Sequence, residues 1–134
     1  MDVNDEASIK ALIDDTVMEF GKLDILANHT AIDTKIADIP TKVWDSVFRS
    51  DLRSVFPACK YAIPLQKNGG AIGNTGSTAA VLGNHSQGAY SSAKGGIENL
   101  TRNIAYQYGK DNICCKCIRP GLIITPQNEK NVPP

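Results

Sequence analysis

The stretch of sequence that decides the fold is residues 71–94, which read AIGNTGSTAAVLGNHSQGAYSSAK. A short strand candidate at 71–75 runs into a loop rich in glycine, serine and threonine at 76–88, and a helical pattern begins at 89. In open α/β sheets, ligands bind just beyond the carboxyl ends of the strands. This stretch therefore predicts an α/β fold and places a candidate site in its loop.

The same alternation continues on both sides of this stretch. Apolar residues at helical spacing predict helices over 4–20, 41–66 and 89–108, and short apolar runs predict strands at 23–27 and 113–118. The resulting order is α-β-α-β-α-β, which favours right-handed crossovers and a parallel sheet with helices on both faces.

Several residues are candidates for starting, ending or bending these helices. Asn4 and Thr41 are candidate N-caps, because short polar side chains accept hydrogen bonds from the first turn. Gly21 and Gly109 are candidate stops. Pro57 lacks a backbone donor, so we expect it to kink or break the second helix.

Length and charge exclude several classes of protein. The 134 residues suit one domain over 1–134, and 14 acidic side chains balance 14 basic ones. An even balance predicts no nucleic-acid partner and no anionic membrane partner. With no apolar run of membrane-spanning length and no signal peptide over 1–10, we expect a cytoplasmic protein.

Three of the four cysteines crowd into Cys114-Cys115-Lys116-Cys117, and the fourth is Cys59. A zinc site needs ligands separated by a loop, whereas these three fall in a strand whose neighbouring side chains point to opposite faces. We therefore expect buried free thiols on a core strand, and no metal site.

Tyr90 and Lys94 are four residues apart on a predicted helix and therefore share one face. A free phenol titrates near pH 10, and a neighbouring ammonium favours its ionised form, which suits an acid/base acting on a carbonyl oxygen. The pair also fits an ordinary helix-surface contact. Ser77, just past a predicted strand, is either a hydrogen-bond donor to such an oxygen or a turn residue.

These residues occur in an order that resembles a known family. Ser77, then Tyr90 and Lys94, then Pro120-Gly121-Leu122-Ile123-Ile124-Thr125 is similar to the pattern of the short-chain dehydrogenases/reductases, and the resemblance covers residues 2–125. It implies a Rossmann-type three-layer fold whose parallel sheet is flanked by helices. The fold would be incomplete here, with the first three strands missing.

The resemblance also implies an activity. Family members interconvert small-molecule alcohols and ketones by hydride transfer with NAD or NADP. By family role Tyr90 is the acid/base, Ser77 holds the substrate oxygen, and Lys94 favours the phenolate and binds the nicotinamide ribose. Homo-oligomers pack the helices that match 41–66 and 89–108. The implied cofactor-binding residues are Asp2, Val3, Asn28, Tyr90, Lys94, Pro120, Gly121, Ile123 and Thr125.

The chain also departs from the family pattern. It has no counterpart of the Gly-rich phosphate loop, so the alternative to an enzyme is an inactive remnant or an oligomerisation fragment. Asp51 stands where the family's catalytic Asn is usual, and Gly76 stands where Ser is usual. His29 is either a new base or ligand or a loop substitution, and His85 is either a substrate contact or a solvated loop residue.

Overall fold

A computed structural model describes residues 2, 4–23, 25–28, 35–83 and 86–123 of the chain. The N-cap of the first helix, α1 (Glu6–Phe20), is Asp5, whose side chain accepts hydrogen bonds from the backbone N–H groups of Ala7 and Ser8. The prediction of Asn4 as the N-cap was wrong by one residue. Gly21 ends the helix as predicted, in the left-handed conformation with φ of 73°.

The predicted second helix is divided into separate segments. Strand β1 (Ile25–Asn28) precedes α2 (Thr41–Phe48), which begins after Pro40, so Thr41 is not its N-cap. A π-helical turn over Arg49–Arg53 follows, and α3 (Val55–Ala62) ends in a 3-10 turn. The interruption lies just before Pro57, which occupies the first turn of α3, where its missing N–H costs little.

The remaining elements follow the predicted strand–helix–strand order. Strand β2 (Gly70–Thr75) leads to α4 (Gly88–Tyr108) and then to β3 (Ile113–Ile118). Helix α4 ends at Tyr108 with Gly109 as its C-cap, as predicted. A 3-10 turn over Gly109–Asp111 follows, and Asn112 adopts the left-handed conformation, with φ of 58°.

The three strands form one parallel sheet in the order β1-β2-β3. Both crossovers run in the same direction, so α3 and α4 pack on one face, and α1 packs against α3. That face holds the main buried cluster, which is Val55, Cys59, Ile72, Ile97, Ile104, Ile113 and Cys115. The predicted parallel sheet flanked by helices is thus confirmed, and the described helices lie on this one face, which leaves the other face open among the described residues.

Several apolar and cysteine side chains are more exposed than their sequence pattern predicts. Leu12, Phe20 and Phe56 are exposed although they continue the apolar helix faces. Cys59 and Cys115 are buried and Cys117 is half-buried, but Cys114 is exposed on the open face of the sheet, because adjacent strand residues alternate. All four thiols are free, as expected.

Candidate active site

Three of the predicted site residues lie at or just after the carboxyl ends of the three strands. Asn28 is the last residue of β1, and Ser77 and Pro120 come shortly after the ends of β2 and β3. The register pairs Asn28 with Asn74 and Thr75 with Ile118, so the three carboxyl ends meet at one edge. Open parallel sheets bind their ligands at this edge.

Tyr90 and Lys94 lie one turn apart in the first half of α4. The Lys94 Nζ is 5.5 Å from the centre of the Tyr90 ring and donates a hydrogen bond of 3.1 Å to the backbone oxygen of Thr75. Lys94 is only 1% exposed, so this acceptor replaces part of the water that its ammonium loses. Lys94 therefore ties α4 to the end of β2, next to Ser77.

Opposing effects act on the charge of Lys94. Burial lowers the pKa of Lys94 below its usual value, whereas the charge of Asp51 raises it. Asp51 is 2% exposed within the π-helical turn, and its Oδ1 accepts a hydrogen bond of 3.0 Å from the Ser50 hydroxyl. Single π turns are frequent at functional sites, and this one holds a buried carboxylate within electrostatic reach of Lys94.

Ser77 is buried and begins a short 3-10 turn, Thr78–Ala80. Its Oγ accepts a hydrogen bond of 3.1 Å from the Ala79 N–H, which leaves its own hydroxyl proton to donate elsewhere. Helix α4 passes against this turn: a Cβ built on Gly95 would be 3.9 Å from the Ala80 oxygen. Ser77 thus acts as a turn residue and also lies beside the helix that carries Tyr90 and Lys94.

The other cofactor-binding candidates divide into described and undescribed residues. Asp2 is exposed, and its Oδ1 accepts a hydrogen bond of 2.9 Å from the Asn4 N–H in the turn before α1. The Pro120 oxygen accepts a hydrogen bond of 3.1 Å from the Thr78 N–H. Val3, Thr125 and the side chain of Asn28 lie outside the described residues, as do His29, the candidate base or ligand, and His85, the candidate substrate contact.

The segment after β3 is apolar and sterically open. Leu122 and Ile123 are exposed apolar side chains, and a Cβ on Gly121 would meet no atom within 4 Å. This apolar, uncrowded backbone leaves the carboxyl edge of the sheet. These residues offer an apolar surface to a flat ring bound at that edge.

The ion pair between Glu98 and Arg119 was not predicted from the sequence. Glu98 is 5% exposed on α4, and its two carboxylate oxygens accept hydrogen bonds of 2.6 and 2.7 Å from Arg119, which follows β3. The available signals were a carboxylate four residues after Lys94, on the same helix face, and an arginine directly before Pro120.

The described part of the chain has neither a metal-binding cluster nor a membrane-spanning helix. It contains no group of three or more His, Cys, Asp or Glu residues arranged to hold a metal ion. None of its helices combines the length and the apolar character needed to cross a membrane.

Comparisons with known proteins agree with this geometry. The family model described as enoyl-(acyl carrier protein) reductase matches residues 1–133. The uncharacterised oxidoreductase YxbG of Bacillus subtilis is 39% identical, over 97% of this chain and 49% of its own. The 3-oxoacyl-(acyl-carrier-protein) reductase FabG of Thermotoga maritima is 29% identical, over 97% of this chain and 54% of its own.

A solved structure gives the same result at the level of the fold. A crystal structure from Burkholderia xenovorans, described as a short-chain dehydrogenase/reductase, superposes with a TM-score of 0.89 at 32% identity. The superposition covers 97% of this chain and 52% of that chain. The chain thus spans about half the length of the relatives that it matches.

Proposed function

This chain belongs to the short-chain dehydrogenase/reductase family, and we propose that it carries the acid/base half of an NAD- or NADP-dependent interconversion of an alcohol and a carbonyl compound. The observation that carries the proposal is the position of Lys94. Its ammonium lies beside the Tyr90 ring and is bonded to the Thr75 oxygen at the carboxyl edge of the sheet.

In this proposal Tyr90 moves the proton. Reduction of a ketone places negative charge on its oxygen, and the Tyr90 hydroxyl protonates that oxygen; in oxidation the phenolate accepts the proton back. The Lys94 ammonium favours the phenolate, because opposite charges stabilise each other more strongly in a site from which water is excluded. The negative charge of Asp51 raises the pKa of Lys94 and so favours its charged form.

Ser77 and the segment after β3 position the reactants in this proposal. The Ser77 hydroxyl donates to the substrate oxygen, so it stabilises the charge that develops there. Pro120, Gly121 and Ile123 would hold the nicotinamide end of the dinucleotide, and Lys94 would bind the adjoining ribose. When bound, the dinucleotide supplies or accepts the hydride.

Turnover by paired tyrosine variants tests the proposal. The wild-type chain is supplied with NADH or NADPH and a set of ketones, and absorbance of the reduced nicotinamide is followed. We expect Tyr90→Phe to lower kcat by about 10²–10⁴-fold, the usual contribution of a positioned acid/base. Tyr106→Phe is the matched control, because Tyr106 lies on the same helix but is 91% exposed. Equal turnover in both variants contradicts the proposed role of Tyr90.

The alternative to an enzyme is an inactive fragment, and the open face of the sheet favours it. Parallel sheets are normally covered on both faces. Here Cys114, Lys116 and Ile118 on β3 are exposed, on the face opposite the described helices. A folded chain that binds neither dinucleotide would support this alternative.

Self-association is the second part of the proposal. The helices matching 41–66 and 89–108 carry the exposed rings of Phe56 and Tyr106. An open groove of about 610 Å³ along the first of these helical segments is lined by Asn4, Asp45, Phe48, Arg49, Leu52 and Arg53. We propose a homo-oligomer through these helices, in the cytoplasm, and sedimentation of the wild type against Phe56→Asp tests the interface. A wild-type monomer contradicts it.

A further inference from the structure

Glu98 is the buried carboxylate of α4 that the proposed reaction does not use. It lies one turn after Lys94, and the Nε and Nη2 atoms of Arg119 donate to its two oxygens at 2.6 and 2.7 Å. The Nη1 of Arg102 is 3.9 Å from the same carboxylate. A buried carboxylate is stable only when it is paired, and the forked guanidinium is the partner that fixes geometry best.

The backbone on either side of Arg119 is bonded to the backbone on either side of Ser77. The Gly76 N–H donates to the Ile118 oxygen at 2.8 Å, and the Thr78 N–H donates to the Pro120 oxygen at 3.1 Å. Arg119 lies between the two acceptors, and Ser77 lies between the two donors. Whatever holds Arg119 therefore also restrains Ser77.

Gly76 makes this arrangement sterically feasible. A Cβ at this position would lie 2.8 Å from the Cys117 sulfur, 3.3 Å from the Ile118 oxygen and 3.4 Å from Glu98 Oε1. A side chain here, such as the serine of the family pattern, would displace the Cys117 sulfur and crowd the Ile118 oxygen. The departure at Gly76 and the pair of Glu98 with Arg119 thus belong to one packed unit.

We propose that Glu98 and Arg119 are positioning residues that hold the Ser77 backbone against α4, and so set Ser77 in register with Tyr90 and Lys94. The inference rests on the proposed function for its catalytic consequence, although the structural link can be measured without turnover.

Amide hydrogen exchange in the native wild-type chain measures the link directly. We expect Glu98→Gln to speed exchange of the Gly76 and Thr78 amides by about tenfold or more relative to Ile97, because local opening no longer breaks the ion pair. The matched control is Lys10→Met, which removes an exposed ion pair with Asp14 on α1. It should leave the ratio of exchange rates unchanged.

A double variant separates positioning from stability. Glu98→Leu with Arg119→Met removes the buried charge together with its partner, so the midpoint of thermal unfolding should recover toward that of the wild type. Exchange at Gly76 and Thr78 should nevertheless stay fast in the double variant. In the single variant Arg119→Lys, exchange at these amides should be intermediate between the double variant and the wild type, because an ammonium lacks the forked geometry of a guanidinium. If exchange at the two amides instead follows the unfolding midpoint in every variant, the pair acts on stability alone and the proposal is overturned.

Kinetics distinguish failure of this inference from failure of the proposed function. In an active chain the double variant should lose kcat at least tenfold with little change in KM, while a purely structural pair would leave kcat per folded molecule unchanged. In an inactive wild-type chain the proposed function fails, and exchange at Gly76 and Thr78 still decides whether Glu98 and Arg119 restrain Ser77.

Discussion

The Nζ of Lys94 donates a hydrogen bond of 3.1 Å to the backbone oxygen of Thr75. This bond joins the helix that carries Tyr90 to the strand that ends beside Ser77. It also gives a partner to an ammonium that is almost completely buried. The contact between a helix and a strand end, rather than the Tyr-x-x-x-Lys spacing alone, distinguishes this pair from an ordinary surface contact.

Ser77 should affect both activity and stability. Ser77→Ala removes the oxygen that accepts from the Ala79 N–H, so we expect a loss of about 1 kcal/mol in the free energy of unfolding. It also removes the proposed donor to the substrate oxygen, which should lower kcat by about 10²-fold. Ser77→Thr keeps the hydroxyl and should retain most of both. Urea unfolding and steady-state rates of the two variants measure these effects; a loss of stability without a loss of kcat leaves Ser77 as a turn residue only.

Asp51 should keep Lys94 protonated. Asp51→Asn, which introduces the residue usual in the family, removes a charge that raises the pKa of Lys94, so Lys94 should titrate at a lower pH. The ¹³C shift of Lys94 Cε against pH measures this, with Asp45→Asn at an exposed position of α2 as the control. An unchanged or higher titration midpoint in Asp51→Asn would show that the carboxylate does not act on Lys94.

The buried thiols should weaken the fold at alkaline pH. Burial raises the pKa of Cys59 to about 12 and that of Cys115 to about 11, from 9.0 in an exposed thiol. Above pH 9 the unfolded chain therefore releases thiol protons that the folded chain keeps. The free energy of unfolding should fall as the pH rises, by up to about 1.4 kcal/mol per pH unit for each thiol.

Comparison with a variant isolates this effect. Cys59→Ala lacks one of the two thiols, so its free energy of unfolding should fall less steeply between pH 9 and 11. The difference in slope is the relevant quantity, because all other titrating groups are common to both chains. Equal slopes would mean that Cys59 titrates alike in the folded and unfolded states.

Thr101 should stabilise the polar centre of the core. Its Oγ1 accepts a hydrogen bond of 3.0 Å from the Asn74 amide and donates one of 2.8 Å to the Ile97 oxygen. Thr101→Val removes both bonds from a buried site, and we expect a loss of about 1–3 kcal/mol. Thr16 makes the same type of bond to the Leu12 oxygen, on α1. Chemical unfolding of Thr16→Val should show a change within about 0.5 kcal/mol, and equal losses in the two variants contradict a special role for Thr101.

Local patterns predicted the elements well. The strands at 23–27, 71–75 and 113–118 and the helix over 89–108 lie within two residues of β1, β2, β3 and α4. Strand alternation and helical spacing are properties of neighbouring residues, so they can be read without tertiary information.

Features that depend on distant partners could not be predicted in the same way. The π-helical turn forms because the Ser54 N–H bonds the Arg49 oxygen, five residues back, which no periodicity distinguishes from a regular helix. The pair of Glu98 with Arg119 joins residues 21 positions apart in the chain. Phe56 continues an apolar pattern but remains exposed, since periodicity identifies a face and not what packs against it.

Cofactor binding tests the central claim most directly. The purified chain, with its fold verified by circular dichroism, is titrated with NADH and with NADPH while Trp44 and nicotinamide fluorescence are recorded. We predict saturable binding of at least one dinucleotide, weakened by Lys94→Met and unchanged by Lys110→Met, which alters an exposed lysine beyond the end of α4. A folded chain that shows no binding up to millimolar concentrations of either dinucleotide contradicts the claim that it carries a working half of a reductase.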